Sequence, residues 1–359
     1  MLSTRTHWFI AAAIVLAVAP AVPDETPQPT ERPDSGRAPF VLAGEPIHGS
    51  RVLPIPVLEG HVWALPRLTE GLEHEDARVR ARCCFLLGQI ADRSVRDALA
   101  DMLHDPDRQV RQFAGLALMR MGDWRGMHAA KSALVGNRWW VRFWAVEAVG
   151  RNLWTNDVQR LTRNDPDELV RILAEEAAQR TWEPAQAEAA WELDERLQLD
   201  DTIFRLTNYV IGETDWWWHA GEYPQILRCL ETALWLDPTW ADGYGNAGYL
   251  YWSLDRNREA LGAYYRGVQI LPDSWETNWE LGFYYFNALK RYEDAVPLLA
   301  RARELGAPQR FARMHAHALE KAGHPRQALA VWKQLREQYP EDQVVRVNIR
   351  RLERSLGDG

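Results

Sequence analysis

Residues 260–272, ALGAYYRGVQILP, and residues 328–340, ALAVWKQLREQYP, decide the fold. Ala260, Tyr264 and Pro272 of the first stretch return as Ala328, Trp332 and Pro340 of the second, two periods of 34 residues later. Pro238 stands one further period upstream. Each proline closes an apolar run of helical character and precedes a new aromatic-rich one. Recurrence at a fixed period of this length is the mark of a solenoid, whose units bury their apolar faces against one another and leave an elongated surface for binding. The chain is therefore expected to be all-α.

Moving towards the N-terminus, the period changes. Asp-x-x-Val-Arg occurs at Asp76/Val79/Arg80, Asp107/Val110/Arg111 and Asp167/Val170/Arg171, with a looser copy at Asn137, Val141 and Arg142. Each Asp or Asn can accept hydrogen bonds from the free amides at the start of a helix, and an apolar stripe at helical spacing follows. Four residues beyond each valine stand Cys83, Ala114, Ala145 and Ala174, all small. That position is where neighbouring helices must approach most closely. The third copy differs, with an extra residue after its cap and the bulky Trp139-Trp140 pair.

On these residues, 61–183 resembles HEAT repeats of the short bacterial, phycobilisome-lyase-like class. The resemblance implies a ladder in which Arg80, Arg111, Arg142 and Arg171 pair with an Asp of the adjoining repeat. Residues 202–343 resemble tetratricopeptide repeats. Tyr244, Ala247, Gly248, Tyr251, Ala260, Tyr264, Gly267 and Pro272 fall where that family places its large, small, aromatic and terminating residues. Gly248 and Ala260 would let two antiparallel helices come close beside Tyr251 and Tyr264. Gly306 replaces proline at the period in the third repeat, and Thr214 takes a small position in the first. Residues 184–201 read as a connecting helix, which favours one continuous rod, and 344–359 as a capping helix and tail.

The ends carry other signals. Arg5 and His7, an apolar run from Trp8 to Ala19, and small Ala19 and Ala21 read as an export signal over 1–21. The run falls short of the roughly 20 apolar residues a membrane span needs. An uncleaved signal anchor is the alternative. Prolines crowd 22–60, a density that forbids helix and makes a tether. The expected destination is the periplasm or cell envelope. A formal net charge of −8 disfavours nucleic acid as a partner. Cys83, Cys84 and Cys229 are odd in number, so a disulfide framework is not expected.

No phosphate loop, HExxH, paired CxxC or nucleophile elbow occurs, and no cofactor or metal site is expected. The Asp105-Pro106-Asp107 and Asp165-Pro166-Asp167 runs sit at repeat entrances, where turn and cap account for them. His315 and His317, two apart on a helix, face different ways. Eighteen tryptophans exceed what repeat packing requires. By the tetratricopeptide resemblance, one offset on successive first helices lines a concave groove, and here it collects Trp218, Tyr249, Trp252, Trp279, Phe283 and Phe286, with Arg310 and Arg313 at one end. The expected function is a non-catalytic scaffold whose groove binds a protein or peptide partner, with its acidic portion towards Arg310 and Arg313. Carbohydrate binding in the same groove is the alternative, and a bilin lyase-like enzyme subunit a further one.

Overall fold

The computed structural model describes residue 58 and residues 60–150, 163–178 and 198–357; the expected signal, nearly all of the tether and most of the connecting helix lie outside them. Every regular element among the described residues is helical. The N-terminal array alternates short and long helices: α1 (Leu65–Glu70), α2 (Ala77–Ile90), α3 (Arg96–Asp101), α4 (Arg108–Arg120), α5 (Met127–Ala133), α6 (Trp139–Gly150) and α7 (Glu168–Ala178). Asp76, Asp107 and Asp167 accept hydrogen bonds from the first amides of α2, α4 and α7, as the repeat motif requires. In the third copy the helix starts at Trp139, two residues after Asn137 rather than one.

The arginine ladder has a gap. Arg80 holds Asp105 with two hydrogen bonds of 2.8 and 3.0 Å, and Arg142 holds Asp165 with two of 2.7 and 2.8 Å. Arg111 instead donates to the carbonyls of Asp105 and Pro106, and Arg171 to that of Asp165. The irregular third repeat has Gly136 where Asp105 stands in the second, so Arg111 meets no carboxylate there. Cys83, Ala114, Ala145 and Ala174 are all buried, which fits close helix approach at that offset.

The C-terminal array consists of antiparallel hairpins: α8 (Leu199–Ala220) with α9 (Tyr223–Leu236), α10 (Ala241–Ser253) with α11 (Asn257–Ile270), α12 (Trp275–Asn287) with α13 (Tyr292–Glu304), and α14 (Gln309–Lys321) with α15 (Pro325–Gln338). The helix α16 (Gln343–Gly357) closes the array by burying Val345, Ile349 and Leu352 against α15 and its neighbours. A Cβ on Gly248 would lie 2.4 Å from Cζ of Tyr264, so glycine is what lets the phenol cross α10. Gly306 follows α13 at φ 88°, a left-handed turn that stands in for the missing proline.

The arrays do not continue end to end as a rod. They pack side by side, and α9 lies across the long helices of the N-terminal array. Arg82, Phe113 and Trp144 share one offset, three residues after the repeat valine, and that row meets the face of α9 carrying Arg228, Thr232 and Trp235. Phe113 stacks on Trp235 at 4.6 Å, while Phe85 and Trp140 close on it at 5.8 Å. Arg82 donates to the Trp235 carbonyl, and Trp144 Nε1 to Thr232 Oγ1. The guanidinium of Arg228, fully buried, lies 4.8 and 4.6 Å from the ring centres of Phe143 and Trp144.

A chain of paired polar groups crosses this seam. Trp139 Nε1 donates to Tyr251 Oη (2.8 Å), which donates to Glu231 (3.0 Å), and Glu231 is gripped by both terminal nitrogens of Arg266. Arg256 adds a 2.6 Å ion pair to Asp167. At the other end Tyr209 of α8 meets His61, and Leu199 lies against Gly71. Burial on two sides explains why α9 can hold Arg228 and Thr232 out of solvent against Phe143 and Trp144 of the N-terminal array, and Glu231 against Tyr251 and Arg266 of its own.

Candidate functional site

Beyond the seam, α10, α12 and α14 present the offset expected to line a groove. Tyr249 and Trp252 stand edge to face at 6.1 Å, and Trp252 meets Tyr284 the same way at 6.0 Å. On α12, Trp279 and Phe283 are stacked, with ring centres 4.8 Å apart and planes within 10°. Phe311 of α14 closes edge-on over Trp279 at 4.7 Å and packs on Trp275 at 5.0 Å. The Arg310 guanidinium lies 4.5 Å from the Phe311 ring centre.

The residues expected to line the groove thus divide. Tyr249, Trp252, Phe283 and Phe286 are partly exposed, and Arg310 is exposed. Phe286 leans edge-on against Tyr292 at the foot of α13. Trp218, 38% exposed on the last turn of α8, stands edge-on to Tyr223. Two residues belong to the array itself. Trp279 is only 6% exposed, covered by Phe283 and Phe311, and its indole N–H has no acceptor among the described residues. Arg313 is ion-paired with Asp342, whose other oxygen accepts from the first amides of α16. That arginine fastens the closing helix and is not a free cation for a ligand carboxylate.

Sequence reasoning missed Phe311 and Glu280, each one position from the projected offset. Glu280 turns towards α10, where a Cβ on Gly245 would lie 3.1 Å from its carboxyl carbon. Burial, and then the charge of Asp242, push this carboxyl up to about 7. The direction follows from losing part of its water without gaining a cation, the side chain being half-buried.

Other reactive groups are absorbed into packing. His317 stands edge-on to Trp332, and buried His315 is pushed down to about 4, by burial first and then by Arg303. Burial raises the Cys83 thiol to about 12 and the Cys229 thiol to about 11, so neither offers a thiolate near neutrality. Asp105 and Asp165 each accept an arginine and the amide two residues on, as a turn does. Among the described residues no three His, Cys, Asp or Glu side chains converge as a metal site would require.

The family described as HEAT repeats matches residues 65–150, so the N-terminal array is similar to HEAT-repeat proteins over α1 to α6. No curated protein matches the chain. Among solved structures the chain is similar to the crystal structure of the yeast Tom70, at 11% identity and a TM-score of 0.36, over 85% of this chain. It spans 62% of the length of that structure. With helices stacked in two arrays and no strand among the described residues, the chain is an all-α helical-repeat protein, a class whose general use is as an interaction scaffold.

Proposed function

We propose that the protein is an exported, non-catalytic scaffold that binds a protein or peptide partner in the groove formed by α10, α12 and α14. The N-terminal array, read as HEAT repeats of the short bacterial, phycobilisome-lyase-like class, is the base on which that groove is mounted. One observation carries the reading: Trp139 and Trp144 are buried in the seam and donate across it, while Tyr249, Trp252, Phe283 and Phe286 recur at one offset and stay partly exposed. Aromatic side chains offer large contact area with few rotatable bonds, which suits them to a recognition surface. Arg310, stacked on Phe311 and without a carboxylate partner among the described residues, gives one end of the row a cation for an acidic portion of the ligand.

The test is capture from the envelope fraction of the native cell by the full mature chain and by its Trp252→Ala/Phe283→Ala variant. Loss of captured protein with helical content and melting temperature kept is the expected result. Retention of every partner, or unfolding of the variant, would contradict the reading. Recovery of glycan in place of protein would favour sugar stacking on the same rings.

A further inference from the structure

Where α10 crosses α12 and α11, two glycines one helical turn apart make a floor. The Glu280 carboxyl lies over Gly245, 3.1 Å from where a Cβ would stand, and the phenol end of Tyr264 lies over Gly248 in space that a Cβ would occupy. Neither group is paired. Glu280 forms no hydrogen bond or ion pair with any described residue, and the hydroxyl of Tyr264, a side chain only 4% exposed, likewise has no hydrogen-bond partner among them. The two groups act on one another, since the charge of Glu280 is felt at the Tyr264 hydroxyl. Asp242 and Tyr249, one turn before and after Gly245 on α10, flank the niche at the groove offset.

We propose that this niche is the anchor slot of the groove and takes the cationic side chain, arginine or lysine, of a bound peptide segment. The proposal rests on the groove reading above and names the chemistry of its ligand. A carboxylate partly withdrawn from water, beside Asp242 and without a cation, is costly to a fold, and the array could relieve that cost with a glutamine or a leucine. A partner's guanidinium or ammonium supplies what is missing: N–H donors for the Glu280 oxygens and for the Tyr264 hydroxyl oxygen, and a charge opposite to that of Glu280 and Asp242. The raised affinity of Glu280 for a proton, to about 7, is the response of the same niche to the smallest cation available.

The experiment uses the full mature chain and pools of short peptides, degenerate except at a central position fixed as arginine, lysine, citrulline, norleucine or glutamate, read by fluorescence anisotropy. Arginine and lysine pools should bind roughly tenfold or more tightly than the citrulline and norleucine pools, and Glu280→Gln should level them. A second readout follows the Glu280 carboxyl by carbon-13 NMR, with Asp242, Tyr249 and Tyr264 as the titratable neighbours. Its midpoint should fall when the arginine pool is bound. Gly245→Val, which fills the niche by a different route, should cost the same preference. Equal binding of arginine and citrulline pools, or preference surviving Glu280→Gln, overturns the slot while leaving the groove in place. Failure of every pool to bind overturns slot and groove together, and preference for the glutamate pool overturns the slot.

Discussion

The seam and the groove are built from the same residue types and treat them in opposite ways. In the seam, Trp140 and Trp144 are each 3% exposed, and the indole N–H groups of Trp139 and Trp144 both find side-chain oxygens across the array boundary. In the groove, Trp252 and Phe283 stay partly exposed, and Glu280 has no cation among the described residues. Burial across an array boundary, more than aromatic content, therefore separates the rings that hold the fold from the rings left partly open.

The sharpest break should come from emptying the seam. Trp144→Ala removes a buried ring from against Phe85, Phe143 and Arg228, and should cost about 3–5 kcal/mol in denaturant unfolding. A cost below about 1 kcal/mol would mean the arrays do not depend on this contact. A smaller effect is expected from Tyr251→Phe, which leaves Trp139 Nε1 and Glu231 each short of one partner. Its cost should be about 1–3 kcal/mol, again by chemical denaturation.

Glu280 should show the reverse sign. Its carboxyl binds a proton more tightly in the folded chain, at about 7, than at its ordinary 4.5. Stability from this group is therefore fully present below the ordinary value, is lost as pH rises towards 7, and stays lost above it. Glu280→Gln should accordingly stabilise the protein by about 1–2 kcal/mol at pH 8 and by almost nothing at pH 4. A variant that melts lower at pH 8 would show that the carboxylate has a partner within the fold. The smallest effect belongs to Arg310→Ala, an exposed side chain stacked on Phe311, which should move unfolding by less than about 0.5 kcal/mol.

Much of this was legible in the sequence because solenoid contacts are local. A helix packs on those a few dozen residues away, so the spacing of Ala260, Tyr264 and Pro272 against Ala328, Trp332 and Pro340 encodes hairpins, and the small positions at Cys83, Ala114, Ala145 and Ala174 encode helix approach. The irregular third copy even foreshadowed the gap beside Arg111. The seam was not legible, because it joins residues that no period relates: Trp139 to Tyr251, Arg82 to Trp235, Asp167 to Arg256. One signal was available in retrospect. The position three residues after the repeat valine holds Arg82, Phe113 and Trp144, two large rings at an offset that a lone array would leave to solvent. In the groove, projecting one offset identified the face but not what covers it. Phe311 over Trp279 and Asp342 beside Arg313 come from the next repeat and the closing helix, and Glu280 lies one step off the line.

The division of the tryptophans into seam and groove is tested most directly by hydroxyl-radical footprinting of the full chain, read residue by residue by mass spectrometry, free and with the arginine peptide pool. Trp252 and Phe283 should be oxidised in the free protein and protected by the pool, while Trp140 and Trp144 stay unoxidised in both. Oxidation of Trp140 and Trp144 at the rate of Trp252, or a Trp252 already protected in the free protein, would contradict the account.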